Sequence, residues 1–222
     1  MEKGLQWETT WLDLPSGEHK KPEYLAINPV GKVPALIDNG VIVHDSTIIN
    51  EYLEDKFPQN NLLPADPVAR ARARKFEDYA DAYLMPSLFK IFWELRKPEN
   101  ERDRTKVAEG EGEARQHYAY LERELEGRDY FADQFSLGDI SFIPPLANLE
   151  RAGYSIADGF PNFKGWWVRM KARPSFNRSW PDLYLRRFWP VSLPQRQQLL
   201  PRPSRHVRKR TGAGVGRRLP GF

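Results

Sequence analysis

The 222-residue sequence contains no cysteine. That excludes a disulfide framework, a thiolate metal site and a cysteine nucleophile, and it leaves the redox compartment open. Its four histidines, His19, His44, His117 and His206, show no metal-ligand spacing, so no metal is expected. No apolar run approaches the roughly 18 residues that a membrane span needs, and no membrane partner is expected. The start, Met1-Glu2-Lys3-Gly4-Leu5, lacks the apolar core of a signal peptide, which makes the cytoplasm the expected compartment. The glycine-rich run Gly212 to Gly216 follows no strand, opens no helix and has the wrong spacing for a phosphate loop.

Acidic residues are missing from positions 186–222, which hold ten of the 34 Lys and Arg and five prolines. The other 24 basic residues face all 30 Asp and Glu, so an acidic body carries a basic tail. The tail, 182–222, is Pro/Gly-rich and has no helical periodicity. It reads as a disordered segment, resembling translation in the wrong frame more than an evolved sequence. Despite its charge, nucleic acid is not an expected partner.

What the body contains is globular: 40% hydrophobic, 13% aromatic and 29% charged residues, enough to bury a core. Trp7 to Leu12 is β-branched and aromatic and reads as a strand. Pro22 suits the first turn of a short helix, Glu23 to Ile27, stopped by Asn28-Pro29. Val33 to Ile37 and Val41 to His44 flank Asp38-Asn39-Gly40, a strong hairpin signal. Asp45-Ser46 then precedes a helix with Ile48, Ile49, Tyr52 and Leu53 on one face.

After a linker, Asp66 caps and Pro67 opens a helix reaching about Arg96, with a kink expected at Pro86. A further helix ends near Gly127. Ser136 to Asp139 is a capping box opening a helix to about Ala152. Pro161 opens another, which carries Trp166, Trp167 and Met170 and ends at Arg173-Pro174. The order is a small α/β domain at 1–57, a linker at 58–66 and an all-helical domain at 67–181.

The run Asn28-Pro29-Val30-Gly31-Lys32-Val33-Pro34-Ala35-Leu36, followed by Asp45-Ser46 and later by the capping box, resembles the glutathione transferase superfamily, of the bacterial, cytosolic type. The resemblance covers about residues 1–181 and implies a thioredoxin-like domain followed by a helical one. It implies a cis bond before Pro34, with the Val33 backbone pairing to the cysteinyl backbone of glutathione. It gives Ser46 the γ-glutamyl carboxylate, Asp45 the neighbouring ammonium and Lys32 the glycyl carboxylate. Each residue also has a plain structural reading: an edge-strand proline, a helix cap, a solvated loop lysine. Of the aromatics, Tyr79, Tyr83 and Phe89 are the candidates to line a site for the second, apolar substrate. Ser136 and Asp139 are assigned to folding.

The resemblance implies an enzyme that conjugates the glutathione thiolate to a small apolar electrophile, as in detoxification, or runs a related glutathione-dependent reaction. Glutathione is the co-substrate and a homodimer the expected assembly. The alternative is a non-catalytic binding or interaction module on the same fold. The family's first strand and its thiol-activating residue (Ser, Tyr or Cys by class) would precede position 1. No Ser, Tyr or Cys precedes Thr9, so the catalytic residue is unknown and an N-terminally truncated chain is expected.

Overall fold

The computed structural model describes residues 1–179; the basic tail expected at 182–222 lies outside the described residues. The first 60 residues carry a short helix α1 (Pro22–Leu25), a hairpin of β1 (Ala35–Asp38) and β2 (Val41–His44), and α2 (Ser46–Lys56). The strands are antiparallel, with Ala35 opposite His44 and Asp38 opposite Val41. Asn39 and Gly40 take φ of 49° and 84°, which is what a two-residue hairpin turn needs and why Asn-Gly marks one.

Trp7 to Leu12 is not a strand, contrary to its β-branched and aromatic composition. Trp7 and Trp11 are 53% and 46% exposed. A strand exists only where its backbone groups find a partner ladder, and among the described residues β1 and β2 pair with each other alone.

The helical part follows at Pro67. It comprises α3 (Pro67–Tyr79), α4 (Met85–Leu95), α5 (Arg104–Glu124), α6 (Leu137–Ile140), α7 (Ile143–Arg151), α8 (Pro161–Ala172) and α9 (Pro174–Arg178). Asp66 caps α3 by accepting from the Ala69 N–H at 2.8 Å. The kink expected at Pro86 takes the form of a π-helical turn over Ala80–Leu84, between α3 and α4. A proline cannot donate back to the preceding turn and its ring crowds that turn, so the widened spacing accommodates it. The single helix expected from Ser136 to Ala152 is instead two, α6 and α7, broken where Pro144 and Pro145 follow Phe142. Pro174 opens α9 as well as ending α8.

The core lies among these helices. Phe76, Leu84, Tyr118, Phe131, Phe142 and Trp166 are all buried there, with Phe163 stacked on Trp166 at 5.3 Å. Asp139 is buried inside it as the third residue of α6. Its carboxylate accepts from Ser136 N–H (3.0 Å), Phe131 N–H (3.1 Å) and Trp166 Nε1 (2.8 Å). Burial pushes its pKa up to about 6, against the pull of those donors. Gly138 beside it lets α6 close on α3: an added Cβ would lie 2.7 Å from the Ala73 carbonyl oxygen.

A polar seam docks the two parts. On α2, Glu51 pairs with Arg74 of α3 through two bonds of 2.8 and 2.7 Å. One turn along, Asn50 Nδ2 donates to Glu77 Oε1 at 3.3 Å, and Thr47 Oγ1 donates to Asp81 Oδ2 at 3.3 Å. The first residues join in. Lys3 Nζ reaches buried Glu54 at 2.7 Å, while Glu2 accepts from Arg173 at 3.1 and 2.9 Å and from Ser175 Oγ.

Candidate functional site

The hairpin register places the start of β1 beside the end of β2, so Val33-Pro34 and Asp45-Ser46 meet at one end. The Val33–Pro34 bond is cis. Val33 is 45% exposed, and among the described residues neither its N–H nor its C=O meets a backbone partner. The loop before it is tightly tied. Asn28, 2% exposed, donates from Nδ2 to the Lys32 carbonyl at 2.6 Å and accepts from the Val30 N–H at 3.1 Å. Tyr24 Oη donates to the same carbonyl at 2.7 Å. Gly31 turns with φ 61°, and a Cβ there would lie 2.9 Å from the His19 carbonyl oxygen, so the turn requires glycine. Lys20 Nζ donates to the Gly31 carbonyl at 2.8 Å.

At the other side, Asp45 rather than Ser46 caps α2, which sets aside the plain structural reading of Ser46 as a helix cap. Asp45 Oδ1 accepts from the Thr47 N–H at 3.0 Å, and Ser46 is the first helical residue. Asp45 holds φ 78° and ψ 130°, a region that only glycine enters freely. That sharp turn swings the chain from β2 into α2 and presents the first helical turn beside Val33. The Ser46 hydroxyl is exposed and, among the described residues, makes no hydrogen bond. Free N–H groups of a helix start, with the hydroxyl, suit a carboxylate. Lys32 is exposed on the loop before Val33.

A cleft of about 730 Å³ opens between this end and the helical part. Ile42, His44, Asp45 and Ile48 line one side, Asp78 and Asp81 the other. Burial raises the Asp81 pKa, opposed by the bond from Thr47. The aromatic candidates do not line this cleft, and they divide. Tyr79 faces α5: its Oη lies 2.8 Å from His117 Nδ1, and burial pushes its pKa up to about 12. Tyr83 stacks on Tyr79 at 5.2 Å. Phe89 is exposed on α4, eight residues past Asp81. Among the described residues no group of three or more His, Asp or Glu is placed to hold a metal. No described helix is long and apolar enough to cross a membrane.

Asn28 and Tyr24 were legible only as parts of a helix stop, although Asn-Pro before a glycine signals a side-chain-closed turn. Glu77 and Asp81 gave no signal, because their surroundings are set by a helix distant in sequence.

Comparison with known proteins fits this architecture. The family profile for the glutathione S-transferase N-terminal domain matches residues 1–56, and that for the C-terminal domain matches residues 84–174. Glutathione S-transferase 3 of Zea mays is 30% identical over 186 residues, 80% of this chain and 83% of that protein. Maleylacetoacetate isomerase of Pseudomonas aeruginosa is 32% identical over 187 residues, 81% of this chain and 86% of that protein. The solved structure of glutathione S-transferase-I bound with lactoylglutathione superposes with a TM-score of 0.72 at 26% identity, over 80% of this chain and 87% of that one. With both profiles matched and identity of this order sustained over four-fifths of its length, the chain belongs to the glutathione S-transferase family.

Proposed function

We propose that this protein binds glutathione at the Val33–Ser46 end of the hairpin and conjugates its thiolate to a small apolar electrophile. The observation that carries the reading is the backbone of exposed Val33, unpaired among the described residues and set beside the open helix start at Ser46. The Val33 N–H and C=O pair with the cysteinyl backbone as a short added strand. The α2 start and Ser46 hydroxyl take the γ-glutamyl carboxylate, Asp45 the ammonium, and Lys32 the glycyl carboxylate. The sulfur then faces the cleft, where Ile42 and Ile48 offer apolar surface; Phe89, exposed on α4 outside that lining, extends the apolar surface that a long electrophile would reach. Tyr79 and Tyr83 belong to the α3–α5 side and leave this role.

The chemistry asks for a thiolate, since the thiol is a poor nucleophile. A donor aimed at the sulfur, or a positive potential there, would lower its pKa, at about 1.4 kcal/mol per unit. One observation favours a second reading, a glutathione-binding module without turnover. The hydroxyls of Tyr24 and Thr47, both at this end, already donate to Lys32 O and Asp81. The assembly we propose is a homodimer, supported by the exposed Val68 of α3 and Val41 of the hairpin, and the compartment we propose is the cytoplasm.

The test pairs glutathione calorimetry with turnover of an aromatic electrophile, on the wild-type chain and Ser46→Ala. Binding and turnover falling together support the enzyme; binding without turnover supports the module. Binding that Ser46→Ala leaves unchanged contradicts the placement.

A further inference from the structure

The Lys32 carbonyl accepts two strong hydrogen bonds, from Asn28 Nδ2 at 2.6 Å and Tyr24 Oη at 2.7 Å. Both lone pairs of that oxygen are therefore used. The Lys32–Val33 peptide is planar and trans, so its carbonyl and the Val33 N–H lie in one plane and point opposite ways. Whatever fixes Lys32 O also fixes the direction of the Val33 N–H. Two donors pulling the oxygen inward turn that N–H outward.

The donors are themselves held. Asn28 is 2% exposed and its Oδ1 is occupied by the Val30 N–H. Its own N–H donates to the Tyr24 carbonyl at 2.8 Å, which puts the two side chains one helical turn apart on one side of the loop. The Gly31 N–H closes onto the Asn28 carbonyl at 2.8 Å. A carbonyl that accepts two bonds also polarises its peptide and strengthens the N–H as a donor.

We propose that Asn28 and Tyr24 are positioning residues for the glutathione site: gripping Lys32 O together, they aim the Val33 N–H at the cysteinyl carbonyl of the bound tripeptide. Neither touches the ligand. The inference rests on the glutathione-binding reading, and its test separates the two.

The test is a thermodynamic cycle by calorimetry on the full chain. One ligand is glutathione. The other is an analogue whose cysteinyl–glycyl amide is replaced by a trans alkene, which offers Val33 no carbonyl. Asn28→Ala is expected to weaken glutathione about tenfold, the scale of one strong hydrogen bond lost from the Lys32 carbonyl, and the alkene analogue less than about twofold. Tyr24→Phe removes the other donor from a half-buried side chain and is expected to give the same pattern at about threefold. It carries the test if Asn28→Ala does not fold. Equal weakening of both ligands in a folded variant overturns the positioning role, because a merely structural loss does not distinguish them. Wild-type protein that binds the two ligands alike shows that Val33 makes no such contact. The glutathione reading then fails at Val33, and the inference falls with it.

Discussion

Asn50 Nδ2 donates to Glu77 Oε1 at 3.3 Å across the seam between α2 and α3, at a carboxyl group only 1% exposed. Burial is the main cause that pushes the Glu77 pKa from 4.5 up to about 7. The Asn50 bond and Arg74 pull it down, while Glu51 and Asp81 push it further up. The folded protein therefore holds a proton that the unfolded chain has released between those two values. Stability falls as pH rises through that window and levels off above it. Glu77→Gln keeps an acceptor for Asn50 and removes the titration. Its Tm is expected to exceed that of the wild type by about 3 °C at pH 8, the gap closing towards pH 5. An equal gap at both pH values contradicts the assignment.

Ser46 and Ser136 both stand at helix starts, in opposite circumstances. Ser46 is exposed with Asp45 already capping α2, whereas Ser136 is buried and bonded to Asp139. Ser46→Ala is expected to weaken glutathione binding several-fold with Tm unchanged within about 1 °C. Ser136→Ala is expected to cost about 1–2 kcal/mol in chemical denaturation, with glutathione affinity unchanged once stability is matched. The reverse pattern contradicts both assignments.

Phe89, exposed on α4 beyond the cleft lining, is the residue we propose meets a long apolar group on the sulfur. Phe89→Ala is expected to weaken S-hexylglutathione about tenfold, near the transfer free energy of a partly buried ring, and glutathione less than about twofold. Tyr83→Ala, on the α5 side, is expected to change neither. A Tyr83 effect on the hexyl ligand with none from Phe89 contradicts the division of the aromatic residues.

The legible features were those written in a few neighbouring residues. Asn39-Gly40 announced the hairpin, Asp66-Pro67 the start of α3, and Ser136 with Asp139 the capping box. Each works through bonds spanning at most four positions. Misreadings arose where distant partners decide. Trp7 to Leu12 has strand composition and, among the described residues, no ladder to join. Pro86 announced a kink, but its geometry as a π turn depends on how α3 and α4 pack. Glu77 looks like an ordinary surface glutamate until α2 covers it. At the site, Val33-Pro34 and Asp45-Ser46 were legible as a pair only through the resemblance to glutathione transferases, whereas the capping role of Asp45 turns on a positive φ that no residue type announces.

Glutathione bound as we propose, through the Val33 backbone and the start of α2, would lie against the amides of both Val33 and Ser46. Titrating the ¹⁵N-labelled full chain with glutathione and following the amide signals tests that placement most directly. The Val33 and Ser46 amides are expected to shift together, saturably and with one dissociation constant, while the Asp139 and Trp166 amides in the core stay still. Saturable binding that leaves the Val33 and Ser46 amides unmoved would contradict it.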